Sequence, residues 1–222
     1  MELSFEIFIS IGTILMIIVM LFCGKYYHIK VWKRIVTALF FTVAGVIGVK
    51  IMAFIEMGRW NGRSFFGAVL FTPILMVLFS YFIKETPSDI LDICAPAEAI
   101  MLALMKVDCA IQGCCYGKVI RIDSDGNLIR FPSQVVECLT AILIFIILIM
   151  LIYRKKQRGA LYYWYMILYG IVRFILNWLR ETKPFLLGLP PGNFWALITF
   201  IAGGTLMIIH LTRKGNKSSI KL

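Results

Sequence analysis

Charge is what this sequence has least of. Of its 222 residues only 16% are charged, against 60% from the hydrophobic set, and the mean hydropathy is +0.87, far above what a soluble domain keeps in water. That scarcity excludes a soluble enzyme, a nucleic-acid-binding protein and a secreted disulfide scaffold, although the formal net charge of +11 would otherwise point to nucleic acid. Acids are the rarer sign, twelve against twenty-three Lys and Arg, so the excess of base needs a topological explanation. No soluble linker, low-complexity tract or internal repeat of the kind many transporters carry interrupts the chain. With roughly 20 apolar residues per span, six or seven spans and short loops use nearly the whole length. The expected fold is one all-α, polytopic membrane bundle of about seven transmembrane helices over residues 1–222.

The apolar runs place those helices at about Phe5–Cys23, Arg34–Met57, Ser64–Ile83, Asp89–Gln112, Ser133–Tyr153, Ala160–Leu179 and Asn193–Leu211. The fourth is the weakest, because it carries Glu98, Lys106 and Asp108. The first six residues hold two acids and no base, unlike the basic start of a cleaved signal peptide, so the first run is expected to remain as a helix. Cytoplasmic loops hold the excess of Lys and Arg. One set of loops (residues 25–34, Lys84, residues 154–158 and the tail from Arg213) carries thirteen, and the other carries seven: Arg59, Arg63, Lys118, Arg121, Arg130, Arg180 and Lys183. The N-terminus is therefore expected outside and the C-terminus in the cytoplasm. Beyond setting topology and meeting anionic headgroups, the basic loops are assigned no partner, and no nucleic acid.

Several charges fall within spans: Lys50, Glu56, Glu98, Lys106, Asp108, Glu137 and Arg173. An ionised side chain at the bilayer centre costs at least ~2.5–3.5 kcal/mol on insertion scales, so these groups must pair or face a wet cavity. Lys50 and Glu56 lie near a span end and are read as snorkelling groups or a structural pair. Arg173 is different, because in LYYWYMILYGIVRFILNWLRE it has twelve residues of span before it. It is the strongest functional candidate. Arg180 lies seven residues later, two turns along the same helix face, and two guanidinium groups lining one cavity suit a phosphate, which Arg binds through a bidentate fork.

Cys109, Cys114 and Cys115 lack the C-x-x-C spacing and have no histidine nearby, so no metal site and no cofactor is expected. They are read as small, packable residues of a tight turn in which Gly113 and Gly117 allow unusual backbone angles. A vicinal disulfide is compatible with that reading and not required by it. His28 and His210 sit on the basic side near span ends, where solvated or packing roles are the expectation.

The runs QGCCYG, FPSQVVE and YGIVRFILNWLRE, in that order, together with WNGRSFFGAVL upstream, resemble the bacterial prolipoprotein diacylglyceryl transferase family. WNGRSFFGAVL is similar to its S-F-H-G-G segment, and the likeness runs from about Arg59 to Gly204. The resemblance implies a multi-pass enzyme of the bacterial cytoplasmic (inner) membrane, with a cavity open to the outer leaflet. In that family the diacylglyceryl group of phosphatidylglycerol passes to the thiol of a lipoprotein cysteine, leaving a thioether and releasing glycerol phosphate. Arg173 matches the essential arginine of the family's Y-G-x-x-R-F segment and Arg180 its second arginine. Gly117 matches the glycine closing the signature, and Pro132, Gln134 and Glu137 match its H-P-x-Q-L-Y-E motif.

The chain also departs from the pattern. Phe66 stands where the family has a histidine, Lys106 replaces the arginine of G-R-x-G-N, and Cys109 replaces its asparagine. Cys114 stands where many members have glutamate, Phe131 replaces the histidine before the proline, and Asn177 replaces the glutamate between the two arginines. The periplasmic insertion of larger members is missing. With that histidine gone, the group best suited to proton transfer near neutral pH is absent, and Glu98 or Glu137 is the nearby candidate for a base. The resulting expectation is a transferase with Arg173 and Lys106 neutralising the phosphate leaving group. Arg180, Gln134, Gln112, Tyr116, Gly117 and Asn177 would bind the phospholipid. Two alternatives stay open: a paralogue that passes a lipid-derived group to a glycan, a lipid or a dedicated peptide, and a non-enzymatic transporter subunit that uses the buried charges as an ion path.

Overall fold

The computed structural model describes residues 2–58, 60, 62, 64–124, 126–154, 157–180 and 188–219. Arg59, Asn61, Arg63, Lys155, Lys156, Lys183 and Lys221 lie outside the described residues, as does the side chain of Lys217. The described part contains α1 (Glu2–Tyr26), α2 (Val31–Met57), α3 (Phe66–Phe82), α4 (Pro87–Ile111), α5 (Ser133–Arg154), α6 (Leu161–Asn177) and α7 (Pro191–Ser219). Each corresponds to one of the seven apolar runs. One feature escaped the hydropathy pattern. The linker between α4 and α5 forms an antiparallel ribbon of β1 (Val119–Ile122) and β2 (Leu128–Arg130), in register Ile122↔Leu128.

Four helical stretches, Glu6–Tyr26, Val31–Met57, Ser133–Arg154 and Pro191–Lys214, are long and apolar enough to cross a membrane. Their outer faces match that role. Ile7, Ile11, Ile14 and Ile18 on α1, and Leu139, Leu143, Ile146 and Met150 on α5, are exposed at steps of three and four residues. Such a stripe turned outward has the geometry of a lipid-facing helix side.

The weakest run of the sequence becomes the centre of the bundle. α4 packs against α1, α3, α5 and α6 and is buried without interruption from Asp89 to Ala99. Most of its charges are tolerated because they meet a partner from another element, while Asp108 is met by Gln112 at the end of α4 itself. Asp92 accepts hydrogen bonds from Tyr27 Oη (2.9 Å) and from the backbone amides of Gly159 (2.5 Å) and Leu161 (2.9 Å). It thereby satisfies a donor at the start of α6 that Ala160, at the N-cap position, has no side-chain oxygen to meet. Asp89 is held bidentately by Arg158 at 2.8 and 2.9 Å, and Lys33 pairs with Glu85 at 2.7 Å. These contacts tie the basic end of the bundle together. They also hold Arg158 above its ordinary pKa, chiefly through the hydrogen bond to Asp89.

Small residues set the close helix crossings, as expected where packing must stand in for a hydrophobic drive between helices. The α2–α3 crossing is the tightest: a Cβ on Gly67 would lie 1.9 Å from the carbonyl oxygen of Gly48. On α6 the buried face repeats Tyr162, Tyr165, Tyr169 and Arg173. These positions are spaced three, four and four residues apart, so the helical period carries Arg173 along the same inward stripe as the tyrosines.

Candidate active site

A cavity of about 960 Å³ runs through the bundle from the α2–α3, α4–α5 and α6–α7 connections toward Met16 and Phe41 in its interior. At the connection end its wall carries Lys106, Arg173, Asn177 and Arg180. Glu137, only 3% exposed, is the anchor of these cations: Lys106 Nζ lies 2.5 Å from Oε2, Arg173 Nη1 2.5 Å from Oε1, and Arg180 Nη1 3.8 Å from Oε1. One carboxylate thus faces three cations, leaving the group net positive by two. Arg173 Nε and Asn177 Nδ2 are buried without a hydrogen-bond partner among the described residues. A buried donor of that kind carries a desolvation cost of ~1–3 kcal/mol until an acceptor arrives.

The backbone explains why Arg180 is there. α6 ends at Asn177, and residues 178–180 form a turn. Arg180 therefore does not continue the helix face of Arg173, as the seven-residue spacing predicted. It is brought back by stitching: Lys118 N–H donates to the Leu179 carbonyl (2.8 Å), Gly117 N–H to the Phe131 carbonyl (2.9 Å) and Phe131 N–H to the Lys118 carbonyl (2.9 Å). Gly117 is required at this junction, since a Cβ there would lie 2.7 Å from both the Leu179 carbonyl oxygen and Phe131 Cβ.

Six of the ten residues singled out from the sequence line the cavity: Glu98, Lys106, Gln112, Arg173, Asn177 and Arg180. Glu137 lies behind them as their counter-ion. Gln134 is not among the cavity-lining residues and donates through Nε2 to the Cys114 carbonyl, while Ser133 Oγ donates to the Cys115 carbonyl. Together they hold the loop of residues 112–118 on the start of α5. Gly117 acts by close packing, and Tyr116, 46% exposed, is not part of the cavity wall.

The two candidate bases are separated by this geometry. Glu137 is ion-paired, whereas Glu98 Oε2 accepts from Tyr162 Oη at 2.7 Å and Oε1 has no partner among the described residues. Phe66 packs its ring 5.5 Å from the Arg173 guanidinium carbon and 5.6 Å from the Tyr169 ring. Lys50 and Glu56 do not pair: Lys50 Nζ donates to the Trp60 carbonyl at 3.2 Å, and Glu56 faces the cavity.

Sequence reasoning missed the convergence of Cys109, Cys114 and Cys115, whose Sγ atoms all lie within 4.8 Å of one another on the cavity wall. Their spacing gave no signal, because the turn after α4 creates the proximity. Cys115 lies in the connecting loop. Its thiol is pulled below the usual range by a hydrogen bond from Cys109 and then by the charges of Lys106 and Arg180.

Comparison with known proteins gives a consistent family. Residues 4–209 match the family model for prolipoprotein diacylglyceryl transferase. The chain is 29% identical over 169 residues to the phosphatidylglycerol--prolipoprotein diacylglyceryl transferase of Streptococcus agalactiae serotype Ia, covering 70% of this chain and 65% of the relative. Proteins of the same name from Geobacter sulfurreducens (30% over 168 residues; 70% and 64%) and Methylobacillus flagellatus (31% over 164 residues; 69% and 63%) are similar at the same level. The chain spans slightly under two thirds of the length of these relatives.

Proposed function

This chain belongs to the prolipoprotein diacylglyceryl transferase family, and from that premise we propose that it is a multi-pass enzyme of the bacterial inner membrane that transfers diacylglyceryl from phosphatidylglycerol to a lipoprotein cysteine. The relatives' names supply the two substrates. The observation that carries the reading is the cluster of Lys106, Arg173 and Arg180 around Glu137, with Arg173 and Asn177 lining the cavity and Arg173 Nε and Asn177 Nδ2 buried without partners among the described residues. That arrangement supports capture of a phosphate: positive charge already held in place, plus donors whose desolvation cost an incoming oxygen relieves.

In the reaction, Arg180, Arg173 and Asn177 take the phosphate oxygens and hold the glyceryl carbon toward the acceptor. The acceptor thiol loses its proton to Glu98, whose Oε1 has no partner among the described residues. The sulfur then forms a C–S bond as the C–O bond to phosphate breaks, and the electron pair goes to the phosphate oxygen. Lys106, Arg173 and Arg180 stabilise that developing charge in a site poor in water, where fixed donors act most strongly. Glu137 keeps the cations in place between turnovers. The Lys and Arg distribution supports seven spans with the N-terminus outside, the C-terminus in the cytoplasm and the cavity end near Arg180 at the outer leaflet.

A second reading keeps the same donor lipid and changes the acceptor to a glycan, another lipid or a dedicated peptide; Phe66, whose phenyl ring moves no proton, marks the acceptor chemistry as the part of the site that departs from the family pattern. The test is the purified protein in vesicles of phosphatidylglycerol, given a peptide with a lipobox cysteine and followed by mass spectrometry. Thioether-linked diacylglyceryl peptide with glycerol phosphate is the expected product. Consumption of the lipid without modified peptide favours the other acceptor, and an intact lipid pool rejects the transferase.

A further inference from the structure

We propose that Cys109, Cys114 and Cys115 form a binding site for one thiophilic metal ion, Zn²⁺ or a cation of similar softness, in the wall of the cavity. The three Sγ atoms already lie within 4.8 Å of one another. Zn–S bonds of about 2.3 Å place sulfurs about 4 Å apart around a shared ion, so the widest separation closes by under about 1 Å on binding.

The site is built by the backbone. α4 ends at Ile111, Gly113 reverses the chain at φ 66, and the Cys114 amide donates to the Cys109 carbonyl at 3.0 Å. Cys115 then adopts φ 62, a left-handed conformation that costs a residue with a Cβ of order 1 kcal/mol or more and persists only where its surroundings impose it. Here the surroundings are Gln134 on the Cys114 carbonyl and Ser133 on the Cys115 carbonyl. The loop is thus fixed in the shape that gathers the three sulfurs, which lowers the ordering cost of binding.

Ligand chemistry and charge agree with that geometry. Thiolates select soft and borderline metals over Mg²⁺ or Ca²⁺, and the nearest carboxylate in sequence, Asp108, is already taken by Gln112 Nε2 at 2.7 and 2.8 Å. Three thiolates around a divalent ion leave one negative charge, which Lys106 and Arg180 are near enough to offset. Cys114 is exposed, giving an entry path. Three protein ligands leave a fourth position open, which is the coordination of a reactive or exchangeable zinc site rather than a closed structural one.

The test needs no lipid, so its failure is separate from failure of the transferase reading. The full chain is purified in detergent under reductant, stripped with a chelator and titrated with Co²⁺ as a spectroscopic probe, then with Zn²⁺. One ion per chain, with thiolate-to-cobalt charge-transfer absorption bleached by Zn²⁺, is expected. Cys109→Ser, Cys114→Ser and Cys115→Ser should each weaken binding by at least about tenfold, as loss of a direct ligand exceeds the ~10–100-fold range for outer-shell partners at its lower end. Cys138→Ser, on α5 outside the cluster, should leave it unchanged. Zn²⁺ should also raise the melting temperature of the parent and of Cys138→Ser but not of the three cluster variants, which separates lost binding from lost folding. Absence of the charge-transfer band in the parent overturns the proposal. So does binding indifferent to all three replacements, or a disulfide among these cysteines in protein isolated without oxygen.

Discussion

Arg173→Lys puts the phosphate reading to its sharpest test. In the parent, Arg173, a cavity-lining residue, touches Glu137 with Nη1 at 2.5 Å while Nε is buried without a partner among the described residues. A guanidinium can therefore serve the carboxylate and a ligand at once. A lysine ammonium is a single point: it can hold Glu137 or meet the phosphate, and the buried carboxylate is the nearer partner. Because the charge is kept, the variant avoids the ~3–5 kcal/mol that follows when a buried pair loses one member. Its melting temperature in detergent should stay close to that of the parent. What it loses is a charge-assisted donor to a developing anion, worth ~2.7–4 kcal/mol where such donors have been removed. At 1.36 kcal/mol per decade that is about 10²–10³ in rate. The vesicle assay with a lipobox peptide should find the loss in kcat, with KM for phosphatidylglycerol changing far less. Parent-like turnover in a well-folded Arg173→Lys protein would mean that Arg173 serves only as a structural partner of Glu137.

Three other outcomes are expected. A cysteine placed at Ser124, in the turn between β1 and β2, should react with a membrane-impermeant maleimide in intact cells, whereas one at Ser218 should not; the reverse pattern would move the cavity end to the cytoplasmic side. The parent chain should replace a bacterium's housekeeping lipoprotein transferase only weakly, because a thiol with a reference pKa near ~8.5 attacks slowly at neutral pH where Glu98 must serve in place of a histidine. Phe66→His combined with Lys106→Arg should raise thioether formation, since both positions line the cavity; strong complementation by the parent would show that Glu98 already suffices. Gly67→Ala should lower thermal stability by the ~1–3 kcal/mol typical of overpacking or more, because its Cβ meets the Gly48 carbonyl at 1.9 Å and backbone cannot step aside as a flexible side chain can. An unchanged melting temperature would mean that the α2–α3 crossing is looser than described.

The sequence by itself determined the number and order of the helices, since apolar runs of span length leave the chain few ways to bury backbone amides away from water. It also determined that charges inside those runs must pair or face a wet cavity, because an isolated ion in hydrocarbon is too costly to keep. Arg173, Lys106 and Glu137 were legible on that ground. Their pairing was not. Nothing in spacing foretells that Glu137, at the start of α5, faces cations from α4, α6 and the turn after α6. Arg180 shows the limit most clearly: helical periodicity gave it the right neighbourhood for the wrong reason, since the helix stops at Asn177 and hydrogen bonds from the Lys118 region bring the turn back. Gln134 and Tyr116 carried the polar character of site residues, yet one is spent holding a loop and the other lies outside the cavity. Most of all, the three cysteines were separated by spacing and joined by two left-handed residues, Gly113 and Cys115. Backbone conformations of that kind are imposed by neighbouring elements, and only tertiary structure decides them.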